Sequence, residues 1–399
     1  MTPNTVDLFS RFMAREFDES EVIAVPTAGQ TFFGRAGSQT IFSPDSNDVD
    51  IDIIRGNEKI AALIPRGMVS RSLGSNQKNL QAGKYTTFSR KYPLSEEEGD
   101  INANQILNRQ AGESPYDRDV RMARMRKLGS RIHMESIRRT VRMFEVLAWQ
   151  SVLTGTQDAI IGTSDTDLQY DFRRNTNLTV TPSNEWDSGS QTIMADIDGI
   201  CDAIRIYGHT QPDMMVLGGE AMQAFIDDSD IQDLADNRRF ELIEVGMGTP
   251  VPAKFMPFVN AGLNPRGRLR TAKGYELWLF TYVDGYTNSS DTFVNYMTLT
   301  DVLICASTAR ADRYFGPPEM LPMIPQRRQL YSELFGINPD APPMPPKLIG
   351  GSNVVNPGMF HCDAYVANDW KKVTIRTQSA PIFPTTQTDA FGLLEDVVS

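Results

Sequence analysis

Residue types that commonly carry chemistry are sparse in this sequence of 399 residues. Its three histidines and three cysteines form no Cys-x-x-Cys or His-x-x-x-His pair, and no Gly-Lys-Ser/Thr loop is present that would hold a phosphate group. No nucleophile and base stand at a spacing that builds a catalytic set. The sequence therefore predicts no catalytic residue, no cofactor and no enzyme activity. The residues concerned are His133, His209, His361, Cys201, Cys305 and Cys362.

One cluster of carboxylates has a spacing that raises the hypothesis of a metal-binding site. In the stretch DVDIDII, Asp48, Asp50 and Asp52 alternate with apolar residues, which places the three acids on one face of a predicted strand. The central glycine and terminal glutamate of a calcium-binding loop are absent. Acids on one face of a strand are more often hydrated or paired with Lys and Arg, so we expect no metal here.

Basic side chains are concentrated on one stretch of an otherwise acidic protein, whose formal net charge is -11. They permit two interpretations: a hydrated helix face paired with acids of neighbouring segments, or a local surface for nucleic-acid phosphates. No aromatic residues are interleaved with the charges, and the overall acidity disfavours general nucleic-acid binding. The basic face comprises Arg118, Arg121, Arg124, Arg131, Arg138 and Arg142.

The element that must position these arginines is a long predicted helix from Pro115 to Leu153. Ser114 is a suitable N-cap, Pro115 is tolerated at the first helical position, and Thr154-Gly155 is a typical end. At 1.5 Å per residue the helix would be roughly 58 Å long, so the rest of the chain must be built along it. Its apolar stripe is Met122, Met125, Leu128, Ile132, Ile137, Val141, Phe144, Ala148 and Val152.

The sequence indicates neither membrane insertion nor secretion. No run of eighteen apolar residues is present, and the first residues lack the apolar segment of a secretory signal. The cysteines are odd in number and widely spaced, which favours a reducing compartment and predicts that each is a small buried apolar residue.

Two segments before the long helix lack partners of their own. Residues 1–52 are interrupted by Gly, Pro and Ser and predict an arm whose aromatic residues need another subunit to cover them. Residues 53–100 predict a long hairpin: KIAALIPRGMVS leads out, RSLGSNQKNLQAG forms the tip and KYTTFSRKYPL returns. A ribbon of this length is marginally stable unless neighbours cover it. The predicted subunit-contact residues are Phe9, Phe12, Phe32, Phe33, Arg66, Arg71, Lys78, Lys84, Arg90, Lys91, Glu96, Glu97 and Glu98.

A compact α+β domain is predicted over residues 192–306. The helix MADIDGICDAIRIYG should turn Ile197, Ile200, Cys201 and Ile204 inward, and MMVLGG should form a short buried strand. Short helices EAMQAFIDD and DIQDLADNRR and strands YELWLFTYVDG and TFVNYMTLTDVLICAS follow. Residues 307–399 then combine a Pro-rich connection with the returning strands WKKVTIRTQSAPIFP and FGLLEDVV.

This order of arm, hairpin, long helix, compact domain and returning strands resembles the HK97 fold of tailed-phage major capsid proteins. Particular stretches resemble the family of the phage lambda capsid protein E: YPLSEEEGD, MARMRKLGSRI, EVLAWQSVLTG, LICASTARADRYFG and TQSAPIFPTTQTDAFGLLEDV. The resemblance implies an N-terminal arm over 1–52, an E-loop over 53–100, a spine helix and first part of the peripheral domain over 101–191, and an axial domain over 192–306. Residues 307–399 would return to the peripheral domain.

The function implied by the resemblance is that of a virion shell subunit, assembled in the cytoplasm of a host bacterium. Hexamers and pentamers of the chain would form an icosahedral procapsid with scaffolding protein and portal, bind a decoration protein, and enclose double-stranded DNA on the inner face. Two alternatives stay open at this point. One is an encapsulin-like cellular compartment, and the other is a DNA-binding protein that acts through the Arg-rich helix.

Overall fold

The computed structural model describes fifteen stretches of the chain. They are residues 27–33, 40–42, 48–54, 80–86, 90–93, 100–102, 138–158, 169–189, 191–236, 243–245, 251–288, 291–315, 361–366, 372–379 and 381–398.

Helices and strands alternate along most of these stretches. The α-helices are α1 (residues 138–154, the described part), α2 (Ile193–Ala203), α3 (Gly219–Asp227), α4 (Ser229–Asp236) and α5 (Met256–Asn260). The strands are β1 (Thr40–Phe42), β2 (Asp48–Ile54), β3 (Leu80–Thr86), β4 (Arg90–Pro93), β5 (Asp100–Asn102), β6 (Thr156–Asp158), β7 (Gln169–Asp171), β8 (Thr179–Val180), β9 (Met214–Leu217), β10 (Ile243–Val245), β11 (Asn264–Arg270), β12 (Glu276–Thr281), β13 (Gly285–Thr287), β14 (Phe293–Asn295), β15 (Val302–Cys305), β16 (Arg313–Phe315), β17 (His361–Val366), β18 (Lys372–Ser379), β19 (Pro381–Ile382) and β20 (Phe391–Leu394).

A seven-stranded mixed sheet lies at the centre of the described structure. Its strand order is β10-β11-β12-β9-β15-β20-β8. β9 is parallel to β12 and antiparallel to β15, and β15 is in turn antiparallel to β20. The sheet therefore joins the compact domain predicted over 192–306 to β20, which comes from the C-terminal end of the chain. From the resemblance, residues 307–399 were expected to return to the peripheral domain, whereas β20 pairs with β15 in the central sheet.

Side chains of the central strands alternate between two apolar layers. Met214 and Val216 of β9 belong to one cluster, together with Trp149 of α1. Met215 and Leu217 belong to the other, together with Ile197 of α2. All four residues of β9 are buried because helices cover both faces of the sheet. The predicted inward positions of α2, which are Ile197, Ile200, Cys201 and Ile204, are confirmed as buried.

The last turns of the long helix run into the core. Gly155 follows α1 with φ of +72°, which is the left-handed conformation that favours glycine after a helix, so the predicted end is confirmed. The expectation of a single apolar stripe is wrong for these turns. Glu145, Leu147 and Trp149 are buried as well as the stripe positions, because the chain surrounds the helix end. Residues 115–137, including the predicted start of the helix, lie outside the described residues.

In the described part of the hairpin before the helix, the strand pairing includes residues that were predicted to lie in the arm and in the tip. β2 pairs antiparallel with β3, from Asp48 opposite Thr86 to Ile54 opposite Leu80. β2 comprises DVDIDII, and LQAG, which was predicted to lie in the tip, belongs to β3. Cross-strand pairing decides the register, and the local composition of LQAG does not reveal it. The connection over residues 55–79 lies outside the described residues.

A second sheet gathers strands from both ends of the sequence. β18 pairs antiparallel with β17, β4 and β5, so that Gln378 lies opposite both His361 and Lys91. The predicted returning strand WKKVTIRTQSAPIFP is confirmed by β18 and β19. The Pro-rich stretch within 316–360 lies outside the described residues. Among the helices that are described, none has the length and apolarity needed to cross a membrane.

Candidate functional site

Few of the predicted subunit-contact side chains fall within the described structure. Phe32 and Phe33 are described with their side chains, while Lys84, Arg90 and Lys91 are described only as backbone positions of β3 and β4. Of the predicted basic face, Arg138 is half-buried and Arg142 is exposed. The remaining positions lie outside the described residues: Phe9, Phe12, Arg66, Arg71, Lys78, Glu96, Glu97, Glu98, Arg118, Arg121, Arg124 and Arg131.

Phe32 and Phe33 do not serve the predicted contact between subunits. Both are buried in the core of their own chain, each 3% exposed. The Phe32 ring lies 4.8 Å from that of Phe258 and 6.0 Å from that of Trp149, and Phe33 lies 5.3 Å from Phe383. The prediction for these two aromatic residues is wrong because the residue range assigned to the arm includes a segment, 27–33, that completes the core.

A buried carboxylate fastens this segment to the long helix. Glu145 Oε1 accepts hydrogen bonds from the backbone N–H of Gly29 at 2.6 Å, from Trp149 Nε1 at 2.8 Å and from Tyr282 Oη at 3.3 Å. Its Oε2 accepts from the backbone N–H of Gln30 at 3.1 Å. Glu145 thus connects residues 27–33, α1 and the loop after β12. We call this group the arm anchor.

Burial and hydrogen bonding act in opposite directions on Glu145. Burial disfavours the charged form and raises the pKa of its carboxyl from 4.5 to about 7, although the hydrogen bonds from Gly29, Gln30, Trp149 and Tyr282 lower it. The carboxyl therefore changes charge near neutral pH. Residue 29 must be small, because a Cβ there would lie 2.7 Å from Trp149 Cδ1.

A row of aromatic rings extends from the arm anchor across the sheet end. Trp149 stacks on Tyr282 at 4.9 Å, Tyr282 on Tyr296 at 6.3 Å, and Tyr296 lies 5.5 Å from Tyr286 of β13. Burial, reinforced by the Glu145 charge, raises the pKa of Tyr282 and of Tyr296, so both phenols stay neutral. The row links the helix mechanically to the β13–β14 hairpin.

The end of α1 is held by an arginine from the following segment. Arg174 Nη1 and Nη2 donate to the carbonyl oxygens of Leu153 and Val152, which are among the last helical carbonyls that lack a partner within the helix. Burial lowers the pKa of Arg174 to about 10, and the Asp389 charge acts in the opposite sense. Asp389 Oδ1 also accepts from the backbone N–H of Asn175 at 2.9 Å. The C-terminal segment therefore supports the same helix end.

Sequence reasoning missed Glu145 and Arg174. A signal for Glu145 exists, since it is the one acid within the apolar run from Val141 to Leu153. Nothing local distinguishes Arg174 from the neighbouring Arg173. Within the residues that the structure describes, no group of His, Cys, Asp and Glu could hold a metal ion. Cys201 and Cys305 are buried free thiols, as predicted, and burial raises the pKa of Cys201.

Comparison with protein-family models finds one family that matches most of the chain. Residues 24–322 match the model of the family described as phage major capsid protein E. Comparison with curated proteins finds no significant match.

Several solved structures are similar to this one. A crystal structure from a prophage of E. coli CFT073, provisionally assigned as a capsid protein, has a TM-score of 0.59 at 12% identity and covers 98% of each chain. The capsid of Ralstonia phage GP4 has a TM-score of 0.40 at 11% identity, covering 92% of this chain and 88% of that one. An encapsulin of Synechococcus elongatus PCC 7942 has a TM-score of 0.38 at 9% identity, covering 90% and 86%.

The prophage structure shows a shared fold over nearly the full length of both chains. The predicted α+β class with an HK97-like capsid fold is thereby confirmed. At 12% identity, this match shows a shared fold and assigns no individual contact residues.

Proposed function

This chain belongs to the phage major capsid protein E family, and we propose that it forms the icosahedral shell that encloses the DNA of a tailed phage. As a member of that family it is a shell-forming capsid protein of the virion, present in many copies. The observation that carries the assignment is the family match over residues 24–322 together with a capsid fold.

The finer parts of the proposal concern the partners. Copies of the chain would form hexamers and pentamers with scaffolding protein and portal in the bacterial cytoplasm, and a decoration protein would bind the finished shell. Residues 1–26 and the connection between β2 and β3 would reach neighbouring subunits, and the basic face of the long helix would pair with acids of other subunits or with packaged double-stranded DNA. No catalytic role is included, because structural shell subunits need none.

Electron microscopy of particles from cells that express the chain with its neighbouring genes tests this proposal. We expect closed shells built mainly from this polypeptide, and double-stranded DNA inside the particles when the full packaging machinery is present. Particles that enclose an enzyme and exclude DNA would instead support the encapsulin-like alternative. DNA binding by the free subunit with a steep dependence on salt would support the DNA-binding alternative.

A further inference from the structure

Residues 27–33 fill part of the core without joining a sheet. The segment forms one 3₁₀ turn, and none of the described strands includes it. Its backbone N–H groups at Gly29 and Gln30 donate to the carboxyl group of Glu145, at 2.6 Å and 3.1 Å. Because no ladder of hydrogen bonds ties the segment to a neighbouring strand, it can leave the core while the central sheet stays folded.

Contacts that do not depend on pH also hold the segment in place. The side chains of Phe32 and Phe33 are each 3% exposed, so release of the segment brings two large apolar rings into water. The side chain of Gln30 adds a hydrogen bond from Nε2 to the carbonyl oxygen of Val141 at 3.1 Å. These contacts keep the open state rare at every pH, and the charge of Glu145 adjusts its population.

Glu145 is the group at this junction that changes charge near neutral pH, because burial raises the pKa of its carboxyl to about 7. Residues 27–33 carry no ionisable side chain. The neighbouring phenols of Tyr282 and Tyr296 stay neutral, since burial and the Glu145 charge raise their pKa values. The charged side chains that act on these two phenols are Asp284 and Arg142.

Opening of the segment would return the Glu145 carboxyl to water. Since Gly29 and Gln30 donate directly to it in the closed state, their release removes the burial that raises its pKa, which returns towards 4.5. A carboxyl that ionises more readily in the open state makes opening more favourable as pH rises. The open state is therefore least populated below pH 4.5, and its population rises up to about pH 7.

We propose that residues 27–33 act as a latch that is closed over protonated Glu145 and opens more often, as a unit, when Glu145 loses its proton. Opening frees seven residues, about 23 Å of extended chain, which add to the reach of the residues before them. The latch is a property of the single chain. Its use in contacts with other copies rests on the proposed function.

Hydrogen exchange of the unassembled subunit tests the latch. The open fraction of residues 27–33, corrected for the intrinsic pH dependence of amide exchange, should rise about 70-fold from pH 5 to pH 8. This exchange should depend on denaturant much less than that of β9, which lies in the middle of the central sheet. The same denaturant dependence as β9, or an equal open fraction at both pH values, would overturn the inference.

Two variants separate the titration of Glu145 from a general loosening of the segment. Glu145→Gln has no titrating carboxyl and should give the same open fraction at pH 5 and pH 8. Gln30→Ala loses the hydrogen bond to Val141 and should raise the open fraction about fivefold at both pH values, with the pH effect retained. Glu185→Gln, at an exposed position, is the control and should behave as the wild type.

A pH effect that persists in Glu145→Gln, or that disappears in Gln30→Ala, would contradict the role of Glu145 in the latch. If Glu145→Gln does not fold, the wild type and Gln30→Ala still decide the matter, because both retain the carboxyl and the backbone N–H groups that contact it.

The outcomes separate this inference from the proposed function, since the exchange measurement needs no shell. A pH-dependent latch in a chain that forms no shells would leave the inference standing and the proposed function wrong. If the chain forms closed shells while its open fraction does not change with pH, the latch is wrong and the shell function stands.

Discussion

Glu145 is the residue on which the described part of the N-terminal region depends. Three of its four donors come from groups distant in sequence, Gly29, Gln30 and Tyr282, so no local pattern predicts the arrangement. A buried carboxylate without these donors would be strongly disfavoured. Its hydrogen bonds to Gly29 and Gln30 fix the position of residues 27–33 in the core.

The charge of Glu145 makes stability depend on pH. Because the folded pKa is raised from 4.5 to about 7, the folded state binds more protons than the unfolded state between these values. The stability that Glu145 contributes through this proton is therefore fully present below pH 4.5 and is lost as pH rises to about 7. A shift of that size corresponds to about 3 kcal/mol. Denaturant unfolding at pH 5 and pH 8 should show this loss in the wild type.

The variant Glu145→Gln should lose that part of the pH dependence. Asp196 and Asp301, whose pKa values are also raised by burial, are present in both proteins, so the comparison isolates Glu145. Glu185→Gln, which removes an exposed carboxylate, is the control. Equal pH dependence in the Glu145→Gln variant and the wild type would refute the role assigned to this carboxyl.

Gly29 tests the tightness of the arm anchor. Gly29→Ala places a methyl group 2.7 Å from Trp149 Cδ1 and should reduce the free energy of unfolding by about 1–3 kcal/mol. Gly199→Ala is the matched control, since nothing lies within 4 Å of a Cβ there. Because position 199 is exposed on α2, Gly199→Ala should raise the free energy of unfolding by about 0.5–1 kcal/mol. An unchanged thermal unfolding midpoint for Gly29→Ala would show that residue 29 is not tightly packed against Trp149.

At the scale of elements, three segments distant in sequence contact the C-terminal end of α1. Residues 27–33 pack on one side, Arg174 donates to its last carbonyls and the C-terminal segment supports Arg174 through Asp389. Arg174→Met should therefore destabilise the subunit by about 1–3 kcal/mol, since two buried carbonyls lose their donors. Arg139→Met, at an exposed position of the same helix, should cost under about 1 kcal/mol. Equal unfolding midpoints for both variants would contradict the capping role.

Truncations of two lengths separate the contribution of residues 27–33 from that of the residues before them. Removal of residues 1–33 deletes Phe32, Phe33 and two donors of Glu145, and should cost more than about 3 kcal/mol of unfolding free energy. Removal of residues 1–26 leaves these contacts intact. We expect that shorter truncation to give a stable subunit that fails to form closed shells. If both truncations unfold at the same denaturant concentration, residues 27–33 are not part of the core.

At the scale of the whole molecule, local pattern predicted elements well and their pairing poorly. The end of the long helix, the inward face of α2 and the strands β9, β12 and β15 followed from periodicity, capping and β-branched content. The insertion of β20 into the central sheet and the pairing of Leu80 with Ile54 did not. Both depend on partners distant in sequence, and apolar residues favour burial without specifying which strand provides it.

The candidate site was likewise predicted only in part from the sequence. The family resemblance correctly indicated a shell protein. The composition of the first segment, however, led to the prediction that Phe32 and Phe33 contact other subunits, whereas they fill the core of their own chain. Burial by another copy and burial by the same chain require the same residue types, so composition does not separate them.

We propose that this polypeptide assembles with copies of itself into a closed shell. Electron microscopy of particles purified after expression with the neighbouring genes measures this directly. We predict closed particles of uniform diameter in which this chain is the main protein. A folded subunit that stays monomeric or forms only small open oligomers under those conditions would contradict the claim.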